Sequence, residues 1–242
     1  MTGLTIAPVQ GLPELRDGDD LARLIVEQAE LQDGDVIVVA QKAISKIEGR
    51  VVRLDEVEPS ARARELAGDG DPRRVEVILG EAKRVVRSRG SLLITETRHG
   101  FVCASSGVDA SNAPEPGAVV LLPVDPDSSA ARLRSALREL TGCDVGIVVS
   151  DSFGRPWRQG TTDIAVGAAG IEVLRDLKGA VDPNGYELKS TVIAVADEIA
   201  AAAELVMGKL DRTPVAIVRG LEVGGQGTAR QIVMPSERNL FP

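Results

Sequence analysis

Six short apolar runs recur along this 242-residue chain and constrain its fold more than any other feature. They are 35–40 (DVIVVA), 91–95 (SLLIT), 118–124 (AVVLLPV), 145–150 (VGIVVS), 191–196 (TVIAVA) and 215–220 (VAIVRG). Each is rich in β-branched residues and bounded by Gly, Asp or Pro, which reads as a strand. Most lack polar alternation, so burial on both faces is expected. Helical patterns lie between them. Residues 128–140 place Leu133, Ala136, Leu137 and Leu140 at helical spacing, with Asp127 or Ser128 as N-cap. Residues 197–210 form a second, Ala-rich helix with Asp197 and Glu198 in its first turn, where the helix dipole favours acids. Residues 61–68 and 73–86 read as further helices, the latter opening on Asp71 and Pro72. The stretch 68–72 (GDGDP) is a turn signal rather than a domain boundary. The expectation is an α/β chain with mixed sheets, one module over residues 1–242, built as one large domain or two packed lobes.

Composition narrows the function. Hydrophobic residues make up 43% of the chain, enough for a substantial core, but aromatics only 2%. The core must therefore be aliphatic, and base stacking has little to work with. A net charge of −8 argues against a nucleic-acid or anionic-membrane partner, while leaving room for a local basic pocket. Cys103 and Cys143 are far apart and form no CxxC pair, so neither a zinc cluster nor a disulfide scaffold is indicated, and a reducing cytoplasm fits. The start, MTGLTIAPVQ, has no secretion-signal pattern, and no apolar stretch approaches the roughly 18 residues of a membrane span. A soluble, cytoplasmic protein is expected.

The commonest catalytic motifs are missing: no P-loop, no GxGxxG after a strand, no HExxH and no GxSxG. The lone histidine, His99, sits in a polar turn and reads as a solvated loop residue. Without a second histidine, a serine triad or a histidine-rich metal centre is excluded. Oxygen-ligand chemistry remains. Four strand-like runs open into polar, glycine-bearing loops: 8–15, 38–50, 105–112 and 149–158. Asp109 and Asp151 stand at such strand ends, where carboxylates suit Mg²⁺ or Mn²⁺. Ser152 adds a further oxygen, Arg155 and Arg158 bring forked donors matched to phosphate or carboxylate, and Lys46 brings a point charge for a phosphate. Taken singly, each reads equally well as a capping acid or a solvated cation; their joint occurrence at loop starts favours a site.

Several stretches then fall into a known order: GLPE (11–14), QKAISKIEGR (41–50), GVDASN (107–112), SDSFGRPWRQGTTDIAVGAAG (150–170), ADEIAAAAELVMGK (196–209) and PVAIVRG (214–220). Together they resemble the coenzyme F420-0:γ-glutamyl ligase family, from about residue 8 to the C-terminus. The resemblance implies a GTP-dependent amide ligase that adds L-glutamate to F420-0 by γ-linkage through an acyl phosphate. It also implies a family-specific fold, an intertwined homodimer and a divalent-metal site beside the GTP site, with a place for a monovalent cation such as K⁺. By the same resemblance, GTP contacts fall on Leu12, Pro13, Glu14, Leu15, Gln41, Lys46 and Asn112, and on a loop at 207–214 that includes Met207, Gly208 and Lys209. Metal ligation falls on Asp109 and Asp151, with Ser152 beside a second metal, and Arg155 or Arg158 meets phosphate or the acceptor's acid group. Lys209 stands where many archaeal relatives carry a glutamine that helps hold the second metal. A protonated lysine cannot ligate, so either that metal is lost or Lys209 meets phosphate. Actinobacterial relatives often continue into a nitroreductase-like domain that this sequence lacks. Two other readings use the same residues: a metal-dependent GTP phosphoryl-transfer enzyme such as a phosphatase, and a regulatory module that binds GTP without consuming it.

Overall fold

The computed structural model describes residues 3–240. Strands β1 (Thr5–Pro8), β2 (Val36–Ala40), β3 (Val51–Arg53), β4 (Ala82–Arg89), β5 (Leu92–Thr97) and β6 (Val102–Ala104) lie in the first half. In the second are β7 (Ala118–Val120), β8 (Gly146–Arg155), β9 (Arg158–Ala169), β10 (Arg175–Asp176), β11 (Val192–Ile193) and β12 (Val215–Arg219). The α-helices are α1 (Leu21–Gln28), α2 (Gln41–Ile47), α3 (Ala61–Ala67), α4 (Pro72–Glu81), α5 (Pro126–Thr141) and α6 (Val195–Met207). A five-stranded sheet in the order β1-β12-β2-β8-β9 carries the main core; only β2 and β8 run parallel, and the other neighbours are antiparallel. The expected mixed sheets are present.

The double-sided burial read from the apolar runs has a simple cause. Side chains alternate across a strand. Ile37, Val39, Ile147, Val149 and Ile217 therefore meet α1 and α5 on one face, where Ile25, Leu133 and Leu137 pack against them. Val36, Val38, Val148, Ala216 and Val218 meet α6 on the other, through Ile199, Ala200 and Ala203. A third apolar cluster gathers α3, α4, β5 and β7 around Ala63, Ile78, Leu93 and Val119.

Several expectations are corrected. The run at 145–150 does not end at Asp151: β8 continues to Arg155 and turns over Pro156 and Trp157 into β9, so 151–155 is strand rather than loop. Backbone pairing with β9 sustains it where hydrophobicity stops. The polar segment after β2 is the helix α2, not a loop. The helix expected over 73–86 ends at Glu81, and residues 82–89 pair with β5 as an irregular edge strand whose backbone pairing, rather than an apolar face, holds the largely polar AKRVVRSR. The run at 191–196 is strand only at Val192 and Ile193, since α6 begins at Val195, and the run at 118–124 is strand only through Val120. Helix α5 starts two residues earlier than expected, capped by Asp125, whose carboxylate accepts from the Ser128 amide at 3.1 Å; Pro126 fills its first turn. Asp127 instead accepts from the amides of Ala168 and Ala229 and ties β9 to the C-terminal segment. Leu140 faces outward. The N-cap Asp71 and Pro72 of α4, and the turn at 68–72, stand as expected.

Candidate active site

The parallel pair β2 and β8 ends side by side at Ala40 and Ser150, and a cavity of about 750 Å³ opens there. Crevices beyond the carboxyl ends of parallel strands are where α/β sheets commonly bind ligands. Four chain segments wall it. Leu12–Leu15 form one side, held by the buried Leu15 and by Lys46, whose Nζ lies 2.5 Å from a Glu14 carboxylate oxygen. Helix α2 forms the second side with Gln41, Lys42 and Lys46; the two lysines, four residues apart, share one helix face. Gln41 is buried, its Oε1 accepts from the Ser45 hydroxyl at 2.8 Å, and its Nε2 has no partner among the described residues, a donor left for a ligand. Asn112, in a left-handed conformation that asparagine tolerates, donates to the Lys209 carbonyl at 3.4 Å. The loop from Met207 to Pro214 closes the fourth side, bringing Gly208, Lys209 and Arg212 to the wall.

The floor is acidic. Asp151 and Ser152 lie on β8, and Asp163 of β9 is paired opposite Ser152. Asp163 is buried and accepts from the hydroxyls of Ser150 and Ser152 at 2.9 and 2.7 Å, so both serine protons are committed and the lone pairs of Ser152 remain available. Burial pushes the Asp151 carboxyl up to about 7, and nearby Asp163 adds to this; Lys42, the Ser152 amide and Lys209 oppose it without compensating. Asp109 is the opposite case. Burial again disfavours its charge, but the Lys42 ammonium at 2.5 Å and the hydroxyl and amide of Ser111 hold the carboxyl down at about 2. Asp109 sits behind Lys42, in a bridge to Val120, rather than on the cavity wall.

Among the described residues no three acid, histidine or cysteine side chains converge to hold a metal by themselves. The donor set present is nevertheless the hard-oxygen kind: the Asp151 carboxylate, short of compensation, the Ser152 hydroxyl oxygen and Asp109 one lysine away. That set fits Mg²⁺ or Mn²⁺, which take one or two carboxylates and complete their shell with phosphate oxygens and water.

Of the residues expected from sequence, those at 12–15, Gln41, Lys46, Asn112, Asp151, Ser152 and 207–209 all line this one cavity. Arg155 and Arg158 do not; they flank the hairpin turn, where Arg155 donates to the Gln159 carbonyl at 2.8 Å. Sequence reasoning missed Lys42, Asp163 and Glu204, which line the cavity too, and reached Arg212 only as part of the loop at 207–214. Lys42 was within reach through its four-residue spacing from Lys46. Asp163 meets Ser152 only because β9 folds back on β8. His99 is no solvated loop residue: it is half-buried, its Nε2 lies 3.0 Å from the Pro123 carbonyl oxygen, and its ring stacks on Phe101, away from the cavity. Both cysteines are free, and Cys103, buried near Asp151, has its thiol pushed up to about 12.

The sequence profile of the F420-0:gamma-glutamyl ligase family matches residues 11–220, spanning all four walls of the cavity. The chain belongs to this family. Among curated relatives, the coenzyme F420:L-glutamate ligase of Methanopyrus kandleri is 50% identical over 246 residues, covering 98% of this chain and 97% of that protein. The protein of the same name from Methanocaldococcus jannaschii is 46% identical, with 95% and 94% covered. That of Archaeoglobus fulgidus is 44% identical, with 98% and 95% covered. As a member of an F420-0:gamma-glutamyl ligase family, the chain is an enzyme, and the cavity is its candidate active site. No helix among the described residues is long and apolar enough to cross a membrane.

Proposed function

We propose that this protein joins L-glutamate to F420-0 through a γ-linked amide, consuming GTP and passing through an acyl phosphate, as a cytoplasmic enzyme. The observation that carries the reading is the convergence, in one cavity, of the ordered family motifs with four cations and an acidic, oxygen-lined floor. A carboxylate does not react with an amine at neutral pH. Transfer of the GTP γ-phosphoryl group to the F420-0 carboxylate gives it a leaving group, and this first step is mainly positioning and charge stabilisation. Lys42, Lys46 and Arg212 set positive charge on the wall for the nucleotide phosphates, and Gln41 offers its unpaired amide. Asp109, Asp151 and Ser152 would hold a divalent cation, whose charge offsets repulsion between phosphate and carboxylate. Lys209, a cation in the same loop as Arg212, is assigned to phosphate rather than to a second metal. Arg155 and Arg158, outside the wall, are assigned to an acid group of the entering acceptor. No nucleophilic side chain is required by this scheme. A homodimer belongs to the same proposal: Leu205 and Leu210, 85% and 87% exposed, offer apolar surface to a second copy.

The test is incubation of the purified protein with F420-0, L-glutamate, GTP, K⁺ and Mg²⁺ or Mn²⁺, followed by mass spectrometry and assay of GDP, with light scattering for the oligomer. Product heavier by one or more glutamyl units, dependent on GTP and on the divalent metal, is expected. GDP released without glutamylated product would instead make the protein a phosphohydrolase.

A further inference from the structure

Two acids on the cavity wall have no work in the scheme above, Glu14 and Glu204, and Glu14 is already paired with Lys46. Glu204 is not. It lies in the last turn of α6, half-buried, and its carboxylate has no hydrogen-bond or ion-pair partner among the described residues. Its position is costly in three ways: burial disfavours the charge, Asp163 repels it, and the C-terminal end of a helix carries the negative pole of the dipole. Lys209 alone acts in its favour, and at a distance. Beyond the acidic floor and the paired Glu14, the other charged side chains on the wall, Lys42, Lys46, Lys209 and Arg212, are cations suited to anionic substrates. An uncompensated acid among them calls for a cationic ligand group. Of the three proposed substrates, only L-glutamate brings a group that is cationic at neutral pH, its α-ammonium. The place is also right, because Asp163 and Lys209 lie within electrostatic reach of both Glu204 and Asp151, which puts Glu204 at the reacting end rather than at the base of the nucleotide.

We propose that Glu204 binds the α-ammonium of the incoming L-glutamate and takes the proton it must lose before attack. The inference rests on the ligase reading above. In the step, the ammonium gives one proton to the Glu204 carboxylate, and the freed nitrogen lone pair forms a C–N bond to the acyl carbon. The C–O bond to phosphate then breaks, with its electron pair leaving on the phosphate. The second nitrogen proton departs with the phosphate as HPO₄²⁻, and Glu204 passes its proton to solvent. No oxidant or further reactant enters.

Hydroxylamine separates this role from others, since it is largely unprotonated at neutral pH, carries no ammonium and still attacks an acyl phosphate. In Glu204→Gln, glutamate-dependent amide formation is expected to fall on the order of 100-fold or more, with a raised KM for glutamate. Hydroxamate formation from F420-0, GTP and hydroxylamine should stay near the wild-type rate, with KM for GTP unchanged, which also shows that the variant is folded. Equal loss of both products would place Glu204 in phosphoryl transfer or in the fold, and would overturn the proposal. So would a rise in KM for GTP alone, which would mean that Glu204 reads the guanine, or no loss at all. If the wild-type enzyme forms neither amide nor hydroxamate, the ligase reading itself fails.

Discussion

Asp109 and Asp151 are the same residue type with opposite electrostatics: Lys42 acts on both, but it pairs directly only with Asp109. Asp109 has the Lys42 ammonium and two Ser111 donors, and ionises at about pH 2. Asp151 has burial and a neighbouring acid, and ionises at about 7. The sign for stability follows. The folded-state value of Asp151 lies above the ordinary 3.8, so the fold holds a proton that the unfolded chain has released. Its contribution is full below about pH 4, declines as pH rises toward 7, and is gone above that. Asp151→Asn removes the penalty. In the absence of divalent metal the variant should melt several degrees above wild type at pH 8 and close to it at pH 4, by calorimetry. Turnover should fall by at least about 100-fold, because an amide oxygen is a weaker ligand for a hard cation. A variant with near-normal turnover would remove Asp151 from the metal site.

At the scale of elements, the site depends on two junctions. One is the β8–β9 hairpin, which sets Asp163 against Ser150 and Ser152. The other is the end of α6, where the chain leaves the helix through Gly208 into the loop carrying Lys209 and Arg212. Gly208 has φ 62° and ψ 163°, a region essentially closed to residues with a Cβ. A Cβ there would also come within 2.1 Å of the Asp211 carboxylate. Gly208→Ala should therefore cost about 1–3 kcal/mol in urea unfolding. Because the loop walls the cavity, the variant should also bind GTP at least several-fold more weakly by titration calorimetry. Unchanged affinity would mean that the loop does not contact the nucleotide.

At the scale of the whole molecule, the central sheet is tied at the end opposite the cavity. Arg219, closing β12, donates through Nε and Nη2 to the two oxygens of Asp35 at 2.7 and 2.8 Å, just before β2. Asp35 is fully buried, and Arg219 also reaches the Glu30 carbonyl at 3.1 Å. Arg219→Met leaves that buried carboxylate with one backbone donor, the Gln32 amide. Arg219 is partly exposed, so the loss is discounted to about 2–4 kcal/mol, read in denaturant unfolding. A loss below 1 kcal/mol would show that water replaces the arginine.

Fold class, the strands β2 and β12, the first half of β8 and the N-terminal cap of α4 were legible in the sequence, because each is written in consecutive residues: β-branched runs and Pro after Asp. The cavity's membership was legible through ordered motifs at 11–14, 41–50, 107–112 and 196–209. What no local pattern carried was pairing between distant segments. The strand character of 151–155 comes from β9, the low ionisation of Asp109 from a lysine 67 residues away, and the commitment of the Ser152 proton from Asp163 across the hairpin. Sequence by itself determined which residue types were available to bind phosphate and metal. Only the tertiary structure decided which of them share a wall, which are desolvated and which are already neutralised, because burial and charge pairing are properties of neighbours in space.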